Sequence, residues 1–385
     1  MKVLLVEPKY YTRYPPLGLL KLSTFHKERG DEVRFVRGLV LLTDFYPDEI
    51  NITSLFTWSW EAVWECVSFY KSLFPRSRVK MGGIYASLMP AHAKQSGVDE
   101  VFIGTNDDLD AVVPDYDLLP EWKANLVFTS RGCIRKCKFC AVPAIEPIKS
   151  SRTTFGSLLD ERFNKVIFWD NNFFGTPNWR EILDEIRERQ LTVDFNQGID
   201  ARLVTEEVAE RLVGIKISPV RMAYDTFNAN FRRAMERAIR LLGEAGFRKR
   251  NMMVYVLHNF TDTPNDFFMR VRDLLNWGAV AYPMRFEPLQ SLEKNKYVAK
   301  QNGWTESKLT LIARARRVIG YGGAFPPYEG LRRKLNDAPN FEEAFKLRPT
   351  NTDTDEKLAS DPELITMGQD HEFPTSRLSV RSKAA

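Results

Sequence analysis

Apolar residues arrive along this chain in short bursts separated by polar, helix-compatible stretches. "KVLLVE" (2–7) is continuously apolar except at its ends, the pattern of a strand covered on both faces. After Pro15 and Pro16, "LGLLKLSTFHKERG" sets Leu17, Leu20, Leu22 and Phe25 on a helical stripe, with Gly30 as a stop. "DEVRFVRG" and "EINITSLFTW" predict two further strands, "WEAVWECVSFYKSLF" a helix, and "SRVKMGG" and "VDEVFIGT" two more strands. Alternation with short connections predicts an α/β domain built on a doubly wound parallel sheet. Its ligand loops would be 8–16, 56–60 and 82–87, beyond the strands' carboxyl ends.

The rhythm breaks at 106–122, "NDDLDAVVPDYDLLPEW", whose acids and prolines read as a linker. A second series then offers six apolar runs, at 124–130, 165–170, 192–198, 218–225, 251–257 and 279–286. Helical patterns lie between them, clearest at 228–246 and 266–278. Six β/α units are fewer than the eight of a closed barrel, so an open, partial (β/α)6 TIM-type barrel is expected. A helix near 305–319 and a charged helical pattern over 328–347 form a C-terminal extension, and the weakly periodic stretch from 348 onward predicts a flexible tail. The expected domains are therefore 1–120, 121–300, 301–347 and 348–385.

Composition adds bounds rather than a function. Among 385 residues, 44% are hydrophobic and 12% aromatic, enough for substantial cores. No run approaches the roughly 20 apolar residues of a bilayer crossing, and the start is too weakly apolar for a signal peptide, so a soluble, cytoplasmic protein with no membrane partner is expected. The net charge of +5 is mild, with Lys and Arg spread along the chain apart from short groups such as "RKRN" (248–251) and "RARR" (314–317), so charge alone does not argue for nucleic acid.

Cysteine is where the chain becomes specific. Three of its four cysteines, Cys133, Cys137 and Cys140, fall within "GCIRKCKFC" directly after the first strand of the second series. Clustered thiols in a reducing compartment read as ligands or redox groups. Thiolates suit iron–sulfur clusters, zinc or copper(I), and a structural zinc site wants four ligands. Three thiolates on a four-iron cubane leave one iron open to a substrate or cofactor. Zinc completed from elsewhere and plain redox thiols remain the alternatives. Gly132 allows close backbone approach. Arg131, Arg135, Lys136 and Lys138 offset negative charge or are simply solvated. Cys66 lies within a helical apolar pattern and reads as a core residue.

The loop "GCIRKCKFC" resembles the signature of the radical S-adenosylmethionine superfamily. The first domain, through "PPLGLLKLSTFHKERGDEV" and "MGGIYASLMPAHAKQSGVDEVFIG", resembles the cobalamin-binding-like Rossmann domain that precedes the barrel in one subgroup. The resemblance implies that Cys133, Cys137 and Cys140 hold a [4Fe-4S] cluster whose open iron chelates S-adenosyl-L-methionine. It implies reductive cleavage to a 5′-deoxyadenosyl radical that abstracts a substrate hydrogen, with electrons from a donor such as flavodoxin or ferredoxin. Phe139 would lie against the adenine. "WDNNFFG" stands where relatives bind the methionine amino group, making Asp170, Asn171 and Asn172 candidates, although an Asx-rich helix cap is the plainer alternative. Arg202 in "NQGIDARLVTEE" could pair with the methionine carboxylate or form a surface ion pair.

Departures from the family pattern accompany the matches. Tyr224, Asp225 and Thr226 replace the glycine, glutamate and serine common in relatives, and His258 stands where a glycine is common. His258 is a cofactor contact or a buried core histidine. The "EPKYYTRYPPLG" loop lacks the histidine pattern that ligates cobalamin, so a corrin would be held without a protein ligand, by Gly82–Gly83 and "SLFTWSW", or not at all. Tyr10, Tyr11, Tyr14, Trp58 and Trp60 would line the cleft either way. Cobalamin-dependent methylation or rearrangement of a small molecule, peptide or RNA is one outcome; a tRNA methylthiotransferase-like enzyme is another, though a second cluster's cysteines and a basic β-barrel are missing. A metal-stabilised, non-catalytic binding or regulatory protein is the reading from a different class.

Overall fold

The computed structural model describes residues 1–217, 219–320 and 328–347. The tail expected from 348 and the "YGGAFPP" segment at 321–327 lie outside the described residues.

Strand β1 (Lys2–Glu7) lies inside a parallel sheet completed by β2 (Glu32–Arg37), β3 (Glu49–Ser54), β4 (Arg78–Gly83) and β5 (Glu100–Val101), in the order β2-β1-β3-β4-β5. Alternate residues of β1 serve opposite layers, as the two-residue period of a strand requires. Val3 and Leu5 pack with Leu19 of α1 (Leu17–Glu28), whereas Leu4 and Val6 pack with Val63, Cys66 and Val67 of α2 (Trp60–Leu73). Burial on both faces explains the unbroken apolar run, and Cys66 is a core residue at 1% exposure. Two short helices, α3 (Ile84–Leu88) and α4 (Pro90–Lys94), follow β4. In this strand order the switch point falls between β1 and β3, where ligands of such sheets bind.

The expected linker is built into the fold instead. It contains α5 (Asp107–Asp110) and a 3-10 turn at Tyr116–Leu118. Asp110 reaches Lys21 at 3.3 Å, and the Tyr116 hydroxyl accepts the Leu126 amide at 2.7 Å. Helix α1 is therefore covered on a second side, so Lys21 and Ser23 are buried beside the expected Leu17 and Leu20.

The second series begins with β6 (Asn125–Val127). A two-residue antiparallel pair, β7 (Ser130–Arg131) and β8 (Ser150–Ser151), follows, enclosing the short helix α6 (Val142–Ile145). Next come β9 (Lys165–Phe168), α7 (Trp179–Glu188), β10 (Thr192–Phe195), α8 (Glu206–Leu212), β11 (Lys216–Ile217) and β12 (Val220–Ala223). Then follow α9 (Ala229–Glu244), β13 (Met252–His258), α10 (Pro264–Trp277) and β14 (Val280–Arg285). One parallel sheet runs β11-β10-β9-β6 and another β12-β13-β14, linked by a parallel bridge between Ile199 and Met222. Val166, Phe168, Val193, Phe195, Met222, Val254 and Val256 face a large shared core with the helices. By strand alternation Ile167, Asp194, Arg221 and Tyr255 face the opposite side. Helices α11 (Glu306–Gly320), α12 (Tyr328–Asp337) and α13 (Phe341–Phe345) close the described chain. The charged 328–347 pattern is thus two helices, the second capped by Asn340, whose side chain accepts the Glu343 amide. Among the described residues no helix is long and apolar enough to cross a membrane.

Candidate functional site

The cysteine loop, 132–149, is closed at its base by β7 and β8. Below that clasp the Asp170 carboxylate, 3% exposed, accepts the Thr129 amide at 3.2 Å, the Thr129 hydroxyl at 2.6 Å and the Ser130 hydroxyl at 2.5 Å. Burial pushes the Asp170 carboxyl up, and those bonds pull the other way. Gly132 takes φ +72, and a Cβ there would meet the Ile148 carbonyl at 2.9 Å, so the tight turn before Cys133 requires glycine. Glu146 accepts the Gly132 amide at 2.7 Å, and its other oxygen takes Arg131 at 2.9 Å.

From this base the loop spreads over the carboxyl ends of the parallel strands. Arg135 donates to Asp200, beyond β10, at 2.9 Å. Ile134 lies against Gly175, beyond β9, and the Phe139 ring meets Phe260, beyond β13, edge-on at 5.9 Å. Phe260 continues to Phe286 at 4.5 Å, making an aromatic floor beyond β13 and β14. Cys133, Cys137 and Cys140 are free and half-buried. Burial pushes the thiols of Cys137 and Cys140 up, and the neighbouring thiols and Asp225 add to this. A group of sulfurs that resists becoming anionic in isolation is relieved by a cation among them.

Among the described residues, no group of three or more His, Cys, Asp or Glu side chains converges closely enough to hold a metal ion. The three thiols therefore fit a soft metal by number, kind and freedom rather than by their present arrangement. Their partner acid, Asp225 at the end of β12, has no hydrogen bond in the described structure. Its carboxyl is pushed up to about 6 by burial, against the pull of Arg270 and Arg202.

The other sequence candidates divide by face. Asn171 donates to Glu146 at 2.7 Å, and Asn172 to Asp200 at 3.3 Å; the Asn172 side-chain oxygen is buried without a partner. Arg202 grips Asp200 at 2.7 and 3.0 Å, with its guanidinium 4.9 Å from the Phe231 ring centre. Burial would raise Asp200, but Arg202 and Arg135 outweigh it and hold the carboxyl below its usual value. Tyr224 points the other way, its ring stacked on Trp277 at 6.2 Å and beside Phe231 at 5.6 Å. His258 also joins the helix layer, between Phe267 at 5.0 Å and Trp304 at 5.6 Å, its Nδ1 unpartnered.

Sequence reasoning passed over Glu146, Asp200 and, on the face opposite the helices, the pair Asp194–Arg221. Arg221 donates to both Asp194 oxygens at 2.8 and 2.9 Å and to the Tyr255 hydroxyl at 2.9 Å. A charge inside an apolar strand run was the available signal: "TVDF" and "PVRM" each carry one. The first sheet closes over this side. Tyr14, from the loop after β1, donates to Asn196 at 2.7 Å and packs edge-on to Trp169 at 5.3 Å. Thr57, after β3, donates to the Ser291 carbonyl at 2.5 Å.

The groups offered to a corrin are spent on one another. Gly83 (φ +112) presses on the Ser54 backbone, and the Ser54 hydroxyl donates to the Gly82 carbonyl at 2.8 Å. Trp60 packs against Trp64 at 4.8 Å and His92 at 5.2 Å, while Trp58 stacks on Phe56 at 4.7 Å. This arrangement does not fit a corrin, and no step is derived through one. Two open clefts of about 650 and 610 Å³ lie at the strands' amino ends, bounded respectively by Trp122, Arg162 and Phe163 and by Lys249, Arg250 and Tyr328; neither is lined by the cysteine loop.

No known family model matches the chain, and no curated protein matches it significantly.

Proposed function

We propose that the protein is a radical S-adenosylmethionine enzyme. In this reading the parallel strands of the second series form a partial (β/α)6 barrel, with β11 and β12 sharing one unit, and the first sheet is a Rossmann-type, cobalamin-binding-like domain without its corrin. The observation that carries the reading is a glycine-led loop with three free cysteines, spread over the carboxyl ends of those strands. Active sites of β/α barrels sit at that end.

Cys133, Cys137 and Cys140 would hold the cluster, leaving one iron to S-adenosylmethionine. When bound, these groups supply one-electron cleavage of the sulfonium C–S bond and hence the 5′-deoxyadenosyl radical. The chain's own residues do the rest. Phe139 offers an aromatic surface beside Phe260. The unpartnered oxygen of Asn172 is an acceptor for an ammonium, and the unpaired Asp225 carboxylate faces the same loop. Asp200 keeps Arg135 and Arg202 in place beneath it. On the concave side, Arg221, Tyr255 and Asn196 provide polar contacts under a Tyr14 lid that excludes water.

Anaerobic purification tests the reading. The protein should be brown, carry about four irons and four sulfides per chain, change its electron-spin spectrum when S-adenosylmethionine is added, and release 5′-deoxyadenosine. Cys137→Ala should abolish that release. A colourless protein with one zinc per chain would instead make it a metal-stabilised binding protein.

A further inference from the structure

The cysteine loop is tied to the first sheet's layer by a chain of alternating charges. Lys21 of α1 meets Asp110 at 3.3 Å; Asp110 takes two nitrogens of Arg131, each at 2.7 Å; Arg131 gives its third to Glu146 at 2.9 Å. The side chains keep 6%, 12%, 17% and 10% exposure in that order. The Arg131 guanidinium also lies 3.5 Å from the centre of the Phe128 ring. The four charges cancel, so each is compensated where it is buried, and removing one leaves its neighbour unpaired.

Glu146 is where this chain meets the loop. One oxygen holds Arg131; the other accepts the Gly132 amide at 2.7 Å and Asn171 at 2.7 Å. Gly132 is at φ +72, hemmed in by the Ile148 and Glu146 carbonyls, and it immediately precedes Cys133. One carboxylate thus sets the backbone direction from which the first thiol leaves and joins the loop to the "DNN" segment after β9. The loop's own backbone bonds gather in its second half, from the Cys140 amide on the Cys137 carbonyl at 3.1 Å to the Glu146 amide on the Val142 carbonyl at 2.8 Å, whereas near its start the Arg135 amide approaches the Cys133 sulfur at 3.3 Å. A loop that gathers mutually repelling thiolates needs its start fixed from outside, as the partners of metal ligands commonly do.

We propose that Glu146 is the positioning residue of the cysteine loop, anchored through Arg131 and Asp110 to α1, and that it preorganises Cys133 for the metal. This rests on the radical S-adenosylmethionine reading for the identity of the metal, but not for the clamp itself.

The test compares the full-length chain with Glu146→Ala and Glu146→Gln. In metal-free protein, hydrogen exchange at Gly132 should quicken in Glu146→Ala while the amides of β9 and β13 keep wild-type protection. After anaerobic reconstitution, Glu146→Ala should lose iron to a chelator roughly 10- to 100-fold faster than wild type, with an altered electron-spin line shape. Glu146→Gln keeps one acceptor oxygen for Gly132 and should fall between the two. Wild-type exchange and iron retention in both variants would overturn the clamp. If the alanine variant does not fold, wild-type behaviour of the glutamine variant overturns it. If wild type takes up no iron at all, the radical-enzyme reading fails, and the exchange at Gly132 alone decides the clamp.

Discussion

His258 and Asp225 lie at the ends of neighbouring strands, and burial acts on them in opposite senses. Between Phe267 and Trp304, with Arg270 and Arg285 nearby, the His258 ring is pushed down to about 3, chiefly by burial and then by those two charges. A histidine whose folded value lies below its unfolded value binds its proton more readily when the chain unfolds. Stability is therefore complete above the unfolded value of about 6.5 and falls as pH drops towards 3. From pH 7.5 to 5 this ring should cost about 2 kcal/mol. Urea midpoints of wild type and His258→Phe, taken at both pH values, should diverge by that amount. Equal acid sensitivity would place the loss in other groups. Asp225 shows the reverse: burial raises its carboxyl to about 6, so the folded protein carries a costly anion at neutral pH. Under the proposed function, an unpaired acid of that kind beside Cys137 and Cys140 is a binding group rather than part of a structural network.

At the scale of elements, the apolar runs located the strands of both parallel series apart from the two-residue β11, because a strand covered on both faces must be continuously apolar, yet they overran the carboxyl ends of β3, β5, β6 and β10 by three or four residues. What they could not give is facing. Tyr224 and His258 were candidate contacts from their place at strand ends, yet they share the helix-side parity of Met222 and Val256, while Asp225 and Leu257, one residue on or back, share that of Arg221 and Tyr255. A period of two turns a one-residue uncertainty into the opposite side of the sheet. The acidic 106–122 segment was also opaque, because its role depends on partners far along the chain, Lys21 and Arg131. The same holds for Arg270, which is fully buried on the helical pattern 266–278. It donates to the Tyr224 carbonyl at 2.7 Å and to Asp262, tying the ends of β12 and β13 to α10. Arg270→Leu leaves Asp262 buried and unpaired, and should lower stability by about 3–5 kcal/mol. The double variant Arg270→Leu with Asp262→Leu should recover much of that in urea unfolding. If the double variant loses as much as the sum of the singles, the two residues do not act as a pair.

In the whole molecule, the loops beyond the first sheet's strands meet the loops beyond the second series, so the mouth of one unit faces the mouth of the other. Bonds that cross there include Tyr14 to Asn196 at 2.7 Å, Thr57 to the Ser291 carbonyl at 2.5 Å, and Gln290 to the Leu88 carbonyl at 3.2 Å. Tyr14 contributes most, because its ring is also wedged between Trp122 at 5.9 Å and Trp169 at 5.3 Å, above the Asp194–Arg221 pair. Tyr14→Phe keeps the wedge and removes the bond, which should cost about 0.5–1.5 kcal/mol. A double-mutant cycle with Asn196→Ala should return a coupling of that size. Tyr14→Ala also removes the half-buried ring, and should lose more than Tyr14→Phe but less than the about 3–5 kcal/mol of a fully buried aromatic. The consequence for chemistry separates the two variants. Under the proposed function, a lid that seals the concave side keeps water and stray hydrogen donors from the radical. Tyr14→Phe should therefore leave the yield of product per 5′-deoxyadenosine near wild type, whereas Tyr14→Ala should form 5′-deoxyadenosine without matching product. Equal yields in Tyr14→Ala and wild type would mean that the first sheet stabilises the barrel's mouth without guarding what happens inside it.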